Sequence, residues 1–80
     1  MTATHKVDVR GVSCPEPLQT LIAEIRQVEP GQSLELLSTD PAVEKDVRAW
    51  LGKAGHHLEE VSAEDEGVYR LRIRRKVPYE

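Results

Sequence analysis

The one cysteine of this sequence, Cys14, stands in the run Cys14-Pro15-Glu16-Pro17. A proline opens a helix readily, because the NH it lacks would be unpaired in the first turn anyway. The residue before it is driven to the extended backbone angles of an N-cap. Cys14 is therefore expected at a helix start, its thiol beside unpaired NH groups and the positive end of the dipole, where an anion is favoured. The thiolate is the reactive form of cysteine. Pro17 removes a second NH and restricts Glu16, which stiffens the turn. The Glu16 charge would raise the thiol pKa and the Arg10 charge would lower it, so the two oppose each other.

A free cysteine is more often a small buried hydrophobe than a nucleophile. Such cysteines sit inside periodic apolar runs. Cys14 lies instead between Gly11-Val12-Ser13 and a proline-flanked turn, a setting that favours a reactive thiol. With no second cysteine the chain cannot form an internal disulfide. That fits a reducing compartment and makes any sulfur chemistry intermolecular.

The elements that must position Cys14 follow from the patterning. Lys6-Val7-Asp8-Val9-Arg10 alternates polar and apolar, as a strand buried on one face does. Leu18, Leu21, Ile22, Ile25 and Val28 form one helical stripe after the motif, ended by Pro30-Gly31. Ser33 to Ser38 reads as a second strand. Thr39-Asp40-Pro41 then supplies a cap and a first-turn proline for a second helix, with Val43, Val47, Trp50, Leu51 and Ala54 inward and Gly55 as its left-handed stop. His56 to Val61 is a weaker strand: Leu58 and Val61 differ in parity, which implies a bulge. Asp65-Glu66-Gly67 marks a hairpin turn, and Tyr69, Leu71 and Ile73 alternate with Arg70, Arg72 and Arg74 in a last strand. Residues 1–4 and 77–80 read as tails around an ordered core of about 5–76.

The order is βαβαββ, an α/β two-layer sandwich with both helices packed on one face of the sheet. The charged outer positions Lys6, Asp8, Arg10, Glu35, Arg70, Arg72 and Arg74 leave the other face wet and disagree with a doubly wound fold. At 80 residues the chain is one domain with a single modest core. A net charge of -3 argues against binding nucleic acid or an anionic membrane. No segment is apolar enough to act as a leader or membrane span, so a cytoplasmic location is expected.

Four other features carry less. Gly52-Lys53-Ala54-Gly55 has the spacing of an RNA-clamping loop, but helix termination explains it without a ligand. His5, His56 and His57 lack metal-ligand spacing, so no metal or cofactor is expected. The stripe from Arg70 to Lys76 has no interleaved aromatics and reads as a solvated sheet face partly balanced by acids on neighbouring strands, with partner docking as the lesser alternative. Asp40 either orients the motif loop or caps its own helix; capping suffices.

Asp8-x-Arg-Gly-x-x-Cys-Pro-x-Pro, then Thr39-Asp40-Pro41-Ala42, then Gly55-His56, together resemble the TusA (SirA-like) sulfur-carrier family over about Val7 to Arg74. The resemblance implies a two-layer sandwich with a four-stranded mixed sheet. It also implies that Cys14 accepts sulfane sulfur as a persulfide; the residues themselves give Pro15 and Pro17 a presenting role, with Glu16, Arg10 and Asp40 as supporting residues. The partners it implies are a donor protein, a cysteine desulfurase or rhodanese, and a DsrE-like acceptor. The mostly polar open sheet face gives no reason to expect an obligate dimer, so a monomer is expected. The pathway would be transfer RNA thiolation or sulfur oxidation. Where the family often has leucine this chain has Val12, a mild change.

The physical logic of a carrier points the same way. A carrier needs one nucleophilic thiol and no second thiol within reach to discharge the persulfide as a disulfide. The free NH groups of Glu16 and Leu18 are the expected donors to the bound anion. Two other classes fit the residues less closely. One is a redox-sensing or regulatory interaction module in which Cys14 carries no sulfur. The other is an enzyme acting alone on a small thiol, for which no cysteine–histidine signature is present.

Overall fold

The computed structural model describes residues 5–13 and 16–77, leaving aside the side chain of Asp65. Both tails fall largely outside these residues, as do Cys14 and Pro15. The elements run β1 (His5–Val9), α1 (Glu16–Ile25), β2 (Ser33–Ser38), α2 (Val43–Ala54), β3 (His57–Glu64), a short 3₁₀ turn at Asp65–Gly67, and β4 (Val68–Arg74). The four strands form one mixed sheet in the order β1-β2-β4-β3. The pairing of β1 with β2 is parallel; those of β2 with β4 and of β3 with β4 are antiparallel. This is the expected βαβαββ two-layer sandwich.

The core lies between the sheet and the helices. Val7 and Val9 of β1, Leu34 and Leu36 of β2, and Leu71 and Ile73 of β4 meet Leu21 and Ile25 of α1 and Val43, Val47 and Leu51 of α2. Leu18, Trp50, Leu58, Val61 and Tyr69 pack at its margin, half-buried. The bulge expected in β3 is present: its register against β4 slips between Leu58 and Glu60, which lets Leu58 and Val61 both reach the core.

The open face is a charge ladder on β4. Arg70 pairs with Glu64 at 3.1 Å, Arg72 with Glu35 at 3.1 Å, and Arg74 with Glu59 at 3.7 Å. Glu35 is more enclosed than a wet-face residue ordinarily is, only 8% exposed. The Arg72 guanidinium compensates it, and the contact holds the Arg72 pKa above its usual value.

Two helix boundaries differ from expectation. The α1 helix stops at Ile25 and continues as turns, Gln27 NH to Glu24 O at 2.9 Å and Val28 NH to Ile25 O at 3.2 Å, well before Pro30. The α2 helix begins at Val43, with Ala42 in the N-cap position and no side chain capping it. Asp40 acts earlier. Its Oδ1 accepts the Ala42 NH at 2.9 Å and its carbonyl accepts the Val43 NH at 3.1 Å, so Pro41 lies in a lead-in turn rather than in the first helical turn. At the other end Gly55 stops α2 as expected, with φ 84° and its NH on the Leu51 carbonyl at 2.8 Å.

Candidate functional site

Two strands that run parallel side by side bring their following loops together. The register Val9 opposite Ser38 places the ends of β1 and β2 at one edge of the sheet, so the loops that open α1 and α2 leave it as neighbours. Both helix N-termini, with their unpaired donors and positive dipole ends, therefore lie at this edge.

The loop leading to the motif is held at three points. Asp8 Oδ1 accepts the Arg10 backbone NH at 3.1 Å, while the Arg10 guanidinium donates to both carboxylate oxygens, at 2.9 and 2.7 Å. Val12 NH closes a turn on the Val9 carbonyl at 3.2 Å, with Gly11 at φ 82°, a value that favours glycine. Gly11 NH donates to the Thr39 hydroxyl at 2.8 Å, across from the second loop. On the far side of the motif, Glu16 NH donates to the Ser13 carbonyl at 3.2 Å.

These bonds bear on three expectations. The Glu16 NH is engaged by Ser13 and is not free for a bound anion, which leaves Leu18 as the first-turn donor of the expected pair. Arg10 does not act as a lone positive charge beside the thiol: its fork is occupied by Asp8, whose carboxyl is held down to about 2, chiefly by the Arg10 side-chain hydrogen bonds and then by the Arg10 NH. The same contact raises the Arg10 pKa. Asp40 closes the lead-in turn ahead of α2 instead of capping the helix, and its NH donates to the Ser38 hydroxyl at 3.1 Å.

The remaining site residues divide. Pro17 is fully buried, so the start of α1 is anchored in the core as well as stiffened. Glu16 is the exposed first residue of α1. Cys14 and Pro15 lie outside the described residues. Asp8 and Thr39 belong to motifs of the sequence, but neither is expected in the site from its local pattern. The spacing Asp8-x-Arg10 is the signature of a carboxylate that closes a turn on the NH two residues ahead, whereas the partner of Thr39 lies 28 residues away and left no local trace.

Asp8, Arg10, Gly11 and Thr39, with Glu66 from the β3–β4 turn and Val68 at the start of β4, line a shallow polar depression of about 560 Å³. Among the described residues no three histidine, cysteine, aspartate or glutamate side chains cluster as metal ligands would. Also among them, no helix is long and apolar enough to cross a membrane.

Comparison with known proteins bears on this arrangement. A sequence profile described as "Sulfurtransferase TusA" matches residues 5–75. A putative sulfur carrier protein of Archaeoglobus fulgidus is 47% identical over 60 residues, which is 75% of this chain and 82% of that one. A sulfur carrier protein TusA of Pseudomonas aeruginosa is 36% identical over 77 residues, 91% of this chain and 96% of its own. The crystal structure of a SirA-like protein from Desulfitobacterium hafniense superposes with a TM-score of 0.75 at 20% identity, covering 92% of this chain and all of that one, a likeness of fold.

Proposed function

The chain belongs to the TusA sulfurtransferase family of sulfur carriers, and we propose that Cys14 is the residue that takes up sulfur, as a persulfide, and presents it to an acceptor protein. The observation that supports this reading most is the pre-set loop. Ser13 and Glu16, which flank Cys14-Pro15, are joined to each other by a hydrogen bond and to the sheet by the bonds at Asp8, Gly11 and Val12. A thiol presented from such a frame loses little freedom when a partner docks.

The Cys14 thiolate attacks the outer sulfur of a donor persulfide. A new S–S bond forms at Cys14, the S–S bond of the donor breaks, and the donor cysteine leaves as thiolate. No electrons enter or leave the pair, so the step needs no oxidant. The product is an anion at the edge where both helices begin, with the Leu18 NH as the first-turn donor. Discharge repeats the exchange, an acceptor thiolate attacking the outer sulfur. A cysteine desulfurase or rhodanese suits the donor role and a DsrE-like protein the acceptor role, feeding thiolation of transfer RNA or sulfur oxidation, in a reducing compartment that keeps a lone thiol free.

Intact mass spectrometry tests the assignment. The reduced chain should gain one or more sulfur atoms from polysulfide, or from a cysteine desulfurase supplied with cysteine, and lose them to reductant or to an acceptor. Cys14→Ser should gain none. A folded native chain that stays unmodified with every donor would sink the carrier reading and leave Cys14 as a sensor or a structural residue of an interaction module.

A further inference from the structure

We propose that Thr39 is a positioning residue for the Cys14 thiol, acting through the backbone of Gly11. The inference rests on the carrier reading of Cys14 and adds a residue to it. Thr39 directly follows β2 and stands three residues before Ala42, the N-cap position of α2, so its hydroxyl is not placed to cap that helix. Asp40 closes the lead-in turn through Ala42 and Val43. The Thr39 hydroxyl accepts instead from the Gly11 NH, 28 residues away, at 2.8 Å.

Gly11 is where such a bond has most effect. It occupies the third position of the Val9–Val12 turn at φ 82°, and nothing lies within 4 Å of where its Cβ would be. A glycine in open space has no packing to hold its peptide, so its NH is the handle by which the neighbouring loop can fix it. The chain from Gly11 runs through Val12 and Ser13 directly into Cys14. Threonine is stiff at χ1, which keeps the accepting oxygen in one place. Asp8 and Arg10 hold the loop from the β1 side, and Thr39 holds it from the β2 side.

A small donor can reach an exposed thiol in many orientations, whereas a docked protein donor offers one line of attack and depends on the aim of the thiol. Losing the hydroxyl should therefore lower the fraction of chains that react once docked, with little effect on docking. Thr39→Val removes the hydroxyl at constant shape, and Thr39→Ser keeps it.

The experiment compares loading of the native chain and both variants by inorganic polysulfide and by a cysteine desulfurase supplied with cysteine. Thr39→Val should load from polysulfide within about twofold of native. From the desulfurase its kcat should fall about fivefold to tenfold at unchanged KM, the scale of one neutral hydrogen bond. Thr39→Ser should recover to within about twofold of native. Native kinetics in Thr39→Val, no recovery in Thr39→Ser, or a loss carried by KM would overturn the proposal. If the native chain loads from neither donor, the carrier reading fails and Thr39 loses its role with it. With native loading intact, a failure belongs to Thr39 alone.

Discussion

The two ends of the sheet differ in what holds them. At the edge where β1 and β2 finish, the helices begin, and the loops are joined by bonds from side chains to backbone around a shallow depression. At the opposite edge the helices finish, and the residues after β4 fasten them. Arg75 Nη1 donates to the Arg26 and Val28 carbonyls beyond α1, at 3.2 and 2.7 Å. The Arg75 backbone exchanges bonds with Gly31 and Gln32, each 2.9 Å. Lys76 NH donates to His56 Nδ1 at 3.0 Å, just past α2, where the His56 ring also packs against Trp50 with centroids 5.4 Å apart. Helix dipoles point the same way: cations sit at the negative ends, and the positive ends face the motif. One end is fastened by the residues after β4; the other is framed by side-chain-to-backbone bonds around the motif loop.

The comparison is sharpest if each end can be broken without the other. Substitutions at Cys14 and Thr39 should change sulfur transfer while leaving unfolding nearly as it was. Arg75→Ala should do the reverse. Loss of its bonds to two terminal carbonyls should cost about 1–2 kcal/mol in urea unfolding, with persulfide transfer unchanged. Equal loss of transfer in this variant would show that the two ends are coupled.

A smaller effect is expected at Glu66, the one described residue other than glycine with positive φ, at 65°. It stands in the β3–β4 turn at the motif edge, where asparagine fits the left-handed conformation better. Glu66→Asn should stabilise by about 0.5–1 kcal/mol; a lower melting temperature would mean that the carboxylate has a compensating contact.

The smallest effect is a pH slope at the fastened end. Burial, then Lys76, Arg75 and His57, hold the His56 pKa below its ordinary 6.5. The unfolded chain therefore takes up the proton first. The contribution of His56 is complete above about pH 6.5 and declines as pH falls through that value towards the lower folded pKa. His56→Asn, which keeps an acceptor for the Lys76 NH but does not titrate, should flatten this part of the stability profile. A slope that persisted would assign it to another group.

Much of this architecture was legible in the sequence because it depends on local chemistry. The period-two runs and the two helical stripes marked the elements. The parity conflict between Leu58 and Val61 marked the bulge in β3, and Gly55 marked the end of α2. Legibility failed where a local signal had two readings. Asp40 and Pro41 look like the start of a helix, yet the same carboxylate can close a turn two residues earlier, and it does. Arg10 looks like a free cation, but Asp8, two residues before it, is within reach of its fork.

By itself the sequence determined the order of the elements and singled out Cys14 as the sulfur-bearing candidate, since backbone restriction by proline, side-chain periodicity and the count of thiols are properties of short stretches. Only the tertiary structure decided that β4 lies between β2 and β3, that Thr39 meets Gly11, and that Arg75 and Lys76 fasten the far ends of the helices. Those contacts join residues 20 to 49 positions apart. Such partners are selected by which strand edges pair and which helix ends the sheet brings together, and no pattern within either stretch encodes that choice.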